Sequence, residues 1–139
     1  MRVRKSDRRS GAAAVEFAFL LPLLMFLAVI AADWARLFYY TITIEACARN
    51  GAIWQSDADY RSKSPYATLQ DAAMSEAPQL NATATVTPTA VTDATGAAAW
   101  QVKVEVPFKT ITNFPGVPSS QTLTRTVQMR TAELLIKAP

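Results

Sequence analysis

The chain has 139 residues, half of them hydrophobic, with no histidine and a single cysteine. This length suits one modest domain plus one additional element, and the composition excludes both a disordered chain and a two-domain enzyme. Histidine-dependent nucleophile pairs and an intramolecular disulfide are excluded, and a zinc site would lack its usual ligands. We therefore expect no enzymatic activity, no metal, no cofactor and no small-molecule substrate.

The net charge of +3 arises entirely at the N-terminus. Residues 1–11 carry five basic residues and one acid, and the rest of the chain carries nine basic residues against ten acids. A surface for nucleic acid would present basic residues on a folded face with aromatic residues among them, whereas this cluster directly precedes an apolar run. We interpret it as an inside-positive topology signal and expect no nucleic-acid partner.

The apolar run extends from Ala12 to Ala32 and has one charged residue among its 21 positions. As an α-helix it would be about 30 Å long, which is the hydrocarbon thickness of a bilayer. Aromatic rings that suit the far interface follow it, namely Trp34, Phe38, Tyr39 and Tyr40. The run predicts a single membrane span with the N-terminus in the cytoplasm and the rest of the chain outside it.

A cleaved secretory signal is the alternative interpretation of the same run. Its small-residue cleavage site would be Val29-Ile30-Ala31. A glutamate within the apolar core, a proline in its middle and a helical pattern beyond the supposed cut all oppose this alternative.

The helical pattern continues well past the apolar run. Apolar and small residues recur at steps of three and four between residues 34 and 52, and neither proline nor glycine interrupts residues 24–49. We expect one long helix over residues 12–56. It should be kinked at Pro22, because proline removes a backbone donor and clashes with the carbonyl four residues earlier.

Glu16 is the charged residue inside the apolar run. An ionisable side chain costs about 2.5–3.5 kcal/mol at a bilayer centre and less near its edge, so its presence indicates either a pairing role or a side chain that reaches the headgroups. No basic residue follows Glu16 within two helical turns, and Arg9, seven positions earlier, belongs to the interface.

Gly11 followed by Ala12-Ala13-Ala14-Val15-Glu16-Phe17 resembles the type IV prepilin signal, in which a basic leader ends in glycine and glutamate is fifth in the mature chain. The resemblance implies that a prepilin peptidase cleaves between Gly11 and Ala12 on the cytoplasmic side. It also implies that Glu16 neutralises the new Ala12 amine of a neighbouring subunit in a growing filament. Coulomb attraction in a low-dielectric setting favours such a pair over either charge alone.

Three segments narrow the resemblance: GAAAVEFAFLLPLL at 11–24, EACARNGAIW at 45–54 and TLTRTVQMRTAE at 122–133. Together they are similar to the TadE-like family, the minor pilins or pseudopilins of tight-adherence (Tad, or Flp) pilus systems. The resemblance implies a single-pass protein of the bacterial inner membrane that takes part in assembly or initiation of a pilus for adhesion or secretion. Its implied partners are the inner membrane, the prepilin peptidase, and other pilins and minor pilins.

Two alternatives stay open. TadF-like subunits share the signal and the size, so the branch of the family is not fixed. A protein of a different class would be an uncleaved single-pass inner-membrane anchor that carries a periplasmic binding or scaffold module and never enters a filament.

Residues 57–139 are expected to form a periplasmic α+β domain after the leader (residues 1–11) and the long helix. Residues 56–64 are predicted to be a polar loop, and Ser64 and Pro65 predict the start of a short second helix that ends at Pro78. A period of two then predicts a small antiparallel sheet of about three strands, with a turn over Asp93–Gly96 and a longer loop over residues 113–121.

Individual side chains in this region carry narrower expectations. Trp100 is expected in the core because it is in register with the valines of its strand, and Cys47 is expected to be a small packing residue, with an intermolecular disulfide as the alternative. Prolines in strands indicate bulges or edge positions, here Pro88 and Pro107. Four acids without ligand-like spacing are expected on the solvated surface: Asp57, Asp59, Asp71 and Glu76.

Overall fold

The computed structural model describes residues 8–80, 82–111 and 119–132, with side chains from residue 11 onward. It contains helices α1 (Arg8–Ser56), α2 (Ala58–Lys63) and α3 (Leu69–Ala73), single 3-10 turns at Met74–Glu76 and Pro78–Leu80, and strands β1 (Thr85–Thr92), β2 (Ala98–Lys109) and β3 (Ser120–Arg130). The predicted α+β class is confirmed. Most of the leader and of the predicted loop at 113–121 lies outside the described residues.

The long helix α1 has 49 residues and continues through Pro22. At about 1.5 Å per residue its length is about 74 Å. Its first half is exposed on all sides, whereas the half after residue 40 lies against the sheet and α3. The predicted single long helix is confirmed.

The sheet has the order β1-β2-β3, and both pairs of strands are antiparallel. The face of β2 that turns toward α1 carries Val102, Val104 and Val106, which are almost completely buried. Pro88 lies on the edge strand β1, which pairs with another strand on one side only. Pro107 lies on β2 beyond the residues that pair with β1, so it too has a neighbouring strand on one side only. Both prolines therefore occupy positions of the predicted kind.

Small residues of α1 form the other side of the core. Cys47, Ala48 and Ala52 have no exposed surface, which confirms that Cys47 is a packing residue. A Cβ atom on Gly51 would lie 3.1 Å from a Val102 methyl group and 3.2 Å from the Ala73 Cβ. Glycine at this position lets the helix approach the sheet and α3 more closely than a larger residue would allow.

Hydrogen bonds at the far end of α1 hold the last strand in place. The backbone N–H of Ala132 donates to the carbonyl of Ser56 at 2.9 Å, and that of Thr131 donates to Ala98 at 3.0 Å. The end of β3 is thus joined both to the end of the long helix and to the start of β2.

The prediction of a polar loop over residues 56–64 is wrong, because α2 lies there. Asp57 caps this helix: its carboxylate accepts hydrogen bonds from the backbone N–H groups of Asp59 (2.9 Å) and Tyr60 (3.0 Å). Lys63 pairs with Asp59 at 2.7 Å, one helical turn away. No residue of α2 is buried, so the helix has no apolar stripe that the sequence pattern could reveal.

The predicted start of the second helix at Ser64 and Pro65 is also wrong. Helix α3 begins at Leu69, where the Thr68 hydroxyl accepts a hydrogen bond from the Asp71 N–H at 3.1 Å and donates one to the Asp71 carboxylate at 2.7 Å. The α-helix ends at Ala73 and continues as a 3-10 turn to Glu76, ahead of Pro78. The local cap at Thr68, and not Pro65, determines the first turn of the helix.

The hairpin between β1 and β2 turns at Asp93–Gly96, as predicted. The Gly96 N–H donates to the Asp93 carbonyl at 3.0 Å, and Gly96 has a φ of +85°, which favours glycine. Trp100 faces the same side of the sheet as Val102 but is only half-buried and does not belong to the core cluster, so its predicted place in the core is wrong. Of the four acids expected at the surface, Asp57 is half-buried as a cap, and the others are exposed: Asp59, Asp71 and Glu76.

Candidate assembly surface on the long helix

The residues predicted to act in processing and assembly all lie on the exposed half of α1. Gly11, Ala12 and Glu16 are exposed and fall within about one and a half helical turns, and Pro22 lies between one and two turns further on. Among the described residues, α1 is the one helix long and apolar enough to cross a membrane, and none of its most apolar 18-residue stretch is buried. These properties are compatible with a single-pass membrane protein.

Glu16 is surrounded by apolar side chains on this exposed surface. Its neighbours Val15 and Phe17 are each 57% exposed. Among the described side chains, no basic group lies within ion-pair distance of the Glu16 carboxylate. Any cation that pairs with Glu16 in a membrane would therefore come from outside the part of this chain whose side chains the structure describes.

Gly11 lies inside the first turns of α1, and a Cβ atom added to it would meet nothing within 4 Å. The fold therefore does not require glycine at this position. Glycine in a helix is less favourable than alanine by about 0.8–1.0 kcal/mol, so it weakens the helix locally around the Gly11–Ala12 bond.

The junction between the apolar half and the folded domain contains an interaction that sequence reasoning missed. Asp33 follows the apolar run directly and is only 2% exposed. One of its carboxylate oxygens accepts a hydrogen bond from the backbone N–H of Ile111 at 3.0 Å and lies 3.3 Å from the Arg36 guanidinium. This contact joins α1, at the point where the predicted membrane span ends, to the segment that follows β2.

An acid one residue past an apolar run is visible in the sequence, but its partners are not. The Ile111 N–H is 78 positions away and is a backbone group, which no residue pattern identifies. Burial of a carboxylate is tolerated when hydrogen bonds and an opposite charge replace water, and Asp33 has both.

Aromatic packing strengthens the same junction. The ring of Tyr40 meets Phe108 edge to face with centroids 5.3 Å apart, and the Arg36 guanidinium lies 5.4 Å from the centre of the Phe108 ring. Of the four aromatic residues expected at a membrane interface, Trp34, Phe38 and Tyr39 are exposed, whereas Tyr40 packs against the core of the domain.

The Cys47 thiol is buried among small residues of α1. Burial raises the pKa of the Cys47 thiol, and the nearby Glu76 carboxylate adds to this effect. Among residues 8–80, 82–111 and 119–132, no group of three or more cysteines or acids is arranged to hold a metal ion. Packing therefore accounts for this stretch.

The apolar half of α1 is compatible with one membrane span, and the other half packs within a small α+β domain. A family model described as TadE-like protein matches residues 11–52, which begin at the glycine of the prepilin-like signal and end in the small residues packed on the sheet. The predicted resemblance to TadE-like proteins is thereby confirmed over this segment.

The family match covers less than a third of the chain, and residues 122–133 lie outside it, so the resemblance there remains a prediction. No curated protein and no solved structure matches the chain significantly.

Proposed function

We propose that this protein is a minor pilin or pseudopilin of a Tad-type pilus, cleaved by a prepilin peptidase between Gly11 and Ala12, and that it takes part in pilus assembly or initiation. The observation that carries the proposal is the exposed apolar half of α1, with Glu16 as its single acid. Such a surface requires either lipid or other apolar helices around it. The match to the TadE-like family over the same residues supports contact with neighbouring helices as well as with lipid.

Cleavage would create a positive charge that could pair with the Glu16 carboxylate of a neighbouring chain. The new amine at Ala12 is positive, and the first N–H groups of the shortened helix also give its end a partial positive charge. A carboxylate on a neighbouring chain would be attracted to both. Because Glu16 lies four positions beyond Ala12 on the same helix, this pairing would set neighbouring helices about one turn out of register.

The charge asymmetry of the chain supports the orientation of this subunit. The balance of +4 in residues 1–11 would keep the leader in the cytoplasm, where the peptidase cuts, and place the folded domain in the periplasm. In this arrangement residues 12–32 span the inner membrane, and the domain of residues 57–139 contacts companion pilins and minor pilins.

The N-terminus of the protein in cells tests the proposal. Intact-mass measurement of the chain from cells with an active pilus system should give a mature form that begins at Ala12. The same measurement in cells without the peptidase should give the form with its leader. A chain that keeps residue 1 in both strains would contradict processing and favour an uncleaved membrane anchor, and a start near Ala32 would favour a secreted domain.

A further inference from the structure

We propose that a recess between α1 and the end of β2 binds the phosphate of an anionic phospholipid. The lipid would belong to the outer leaflet of the membrane that α1 crosses. The recess has a volume of about 320 Å³ and is open to the surface. Among the described residues, its basic residues are Arg36 of α1 and Lys109 of β2, and no acid lines it. Two other cavities beside α1 are both lined by Glu76, whereas no described acid lines this recess.

Both cations are available for an anion. The Arg36 side chain is 38% exposed, and its contact with Asp33 occupies only part of a guanidinium that has five N–H donors. Lys109 makes no ion pair among the described residues, and the sequence of residues 112–118 contains no charged side chain. A phosphate group between a guanidinium and an ammonium would gain charge-assisted hydrogen bonds from two directions.

The height of the recess matches the headgroup layer. Arg36 is four residues beyond the end of the apolar run at Ala32, which is about 6 Å along the helix. The polar layer of a bilayer is about 5–7 Å thick on each side of the hydrocarbon core. The Asp33 bond holds Ile111 at this level, where its side chain is 70% exposed, as suits contact with a membrane surface.

Lipid is the favoured occupant because the cations, the recess and the exposed Ile111 all lie beside the end of the membrane span. The inference uses the membrane orientation of the proposed function but does not depend on cleavage at Gly11. An uncleaved chain would bind the same lipid, so failure of this inference and failure of the processing proposal are distinguishable.

Native mass spectrometry of the full chain in detergent tests this inference with phosphatidylglycerol or phosphatidylcholine added at equal concentration. We expect the protein to retain phosphatidylglycerol in preference to phosphatidylcholine. Lys109→Gln should weaken phosphatidylglycerol binding about fivefold, the factor that corresponds to the energy of one basic residue at an anionic surface. The matched control is Lys103→Gln on the same strand, since Lys103 pairs with Glu105 at 3.0 Å and lies outside the recess; it should leave binding unchanged.

Arg36→Gln is the second variant and should also weaken binding, with near-UV circular dichroism confirming that the domain is folded. Equal retention of the two lipids, or equal effects of Lys109→Gln and Lys103→Gln, would overturn the proposal. Complete displacement of phosphatidylglycerol by an equal concentration of inorganic phosphate would show a simple phosphate site and would overturn the lipid assignment. Loss of a co-purifying pilus protein from Lys109→Gln, with lipid binding unchanged, would assign the recess to a protein partner instead.

Discussion

The two halves of α1 belong to one continuous helix but lie in opposite environments. Residues 11–32 are rich in alanine and leucine and are mostly exposed, whereas Ile44, Cys47, Ala48 and Ala52 have no exposed surface. The second half is richer in aromatic and β-branched residues, whose helix propensity is lower, yet it is the half that packs on the sheet, so propensity does not determine where the helix packs. The domain covers one half, and we propose that lipid and neighbouring subunits cover the other.

The two glycines of α1 show the same difference between a packed and an exposed environment. A Cβ atom added to Gly51 would contact Val102 and Ala73, whereas one added to Gly11 would meet nothing within 4 Å. A requirement for glycine at residue 51 would come from the fold, and a requirement at residue 11 would come from an enzyme that acts on the chain. Variants in the two halves should therefore fail in different assays.

The largest expected effect is on filament assembly. Replacing Glu16 by glutamine should leave membrane insertion normal but cost about 3–5 kcal/mol at each subunit contact, because the neighbouring amine would remain buried without its partner. The yield of sheared pili should fall more than about a hundredfold. Glu45→Gln is the matched control, since Glu45 is an exposed acid of the same helix whose ion-pair partner among the described residues is Arg49. Normal pilus yield from Glu16→Gln would remove the pairing role.

The next effect is on the stability of the folded domain. Ile44→Ala should lower the free energy of unfolding by about 2–5 kcal/mol, because Ile44 is completely buried between α1 and the sheet. Leu23→Ala on the exposed half should leave this free energy unchanged, since Leu23 is 52% exposed. Denaturant titration of the full chain in detergent, followed by tryptophan fluorescence, measures both. Equal losses in the two variants would contradict the division of the helix.

The glycines provide a finer comparison. In Gly51→Ala the new methyl group would lie 3.1 Å from Val102 and 3.2 Å from Ala73, both fully buried, so an overpacking cost of about 1–3 kcal/mol should exceed the gain in helix propensity of about 1 kcal/mol and lower the thermal midpoint. Gly11→Ala should not lower the midpoint, but it should reduce cleavage of the leader. Thermal melting together with intact-mass measurement separates the two outcomes. A lower midpoint for Gly11→Ala would show that residue 11 contributes to the fold.

The smallest expected effect lies at the hairpin between β1 and β2. The hydroxyl of Thr95, the N–H groups of Thr95 and Ala97, and the Arg130 guanidinium all favour the ionised carboxylate and lower the pKa of Asp93. A lowered folded pKa means that the ionised group stabilises the fold above the unfolded pKa of about 3.9 and that this stabilisation is lost as the pH falls.

Asp93→Asn should therefore reduce the thermal midpoint at pH 7, and its difference from the wild type should narrow below about pH 4. The matched control is Glu76→Gln, since Glu76 is an exposed acid of the same domain that forms no ion pair among the described residues. A difference between Asp93→Asn and the wild type that is constant from pH 7 to pH 3 would contradict the role of the carboxylate charge.

Periodic patterns in the sequence predicted the elements that bury an apolar face. The alternation of Val102, Val104 and Val106 predicted the central strand, and the absence of breakers predicted the length of α1. Helix α2 was missed because it buries nothing and depends on a single capping carboxylate at Asp57. Local hydrogen bonds of this kind produce no periodicity.

The candidate assembly surface was predictable in part because its chemistry is local. Gly11, Ala12 and Glu16 form one short motif, and the family match covers it. The Asp33 junction and the Arg36–Lys109 recess were not predictable, since each joins α1 to the end of β2 more than seventy positions away. One sequence indicates which residues are unusual, whereas the fold determines which of them meet.

Chemical labelling of the buried Cys47 thiol would detect opening of the folded domain. It is the sole cysteine of the chain, it has no exposed surface, and its raised pKa keeps it protonated near neutral pH. A thiol-reactive label can therefore attach to the described fold only when α1 separates from the sheet. The labelling rate of the unmodified protein would give the frequency of that separation inside a membrane or an assembled fibre, with no engineered probe.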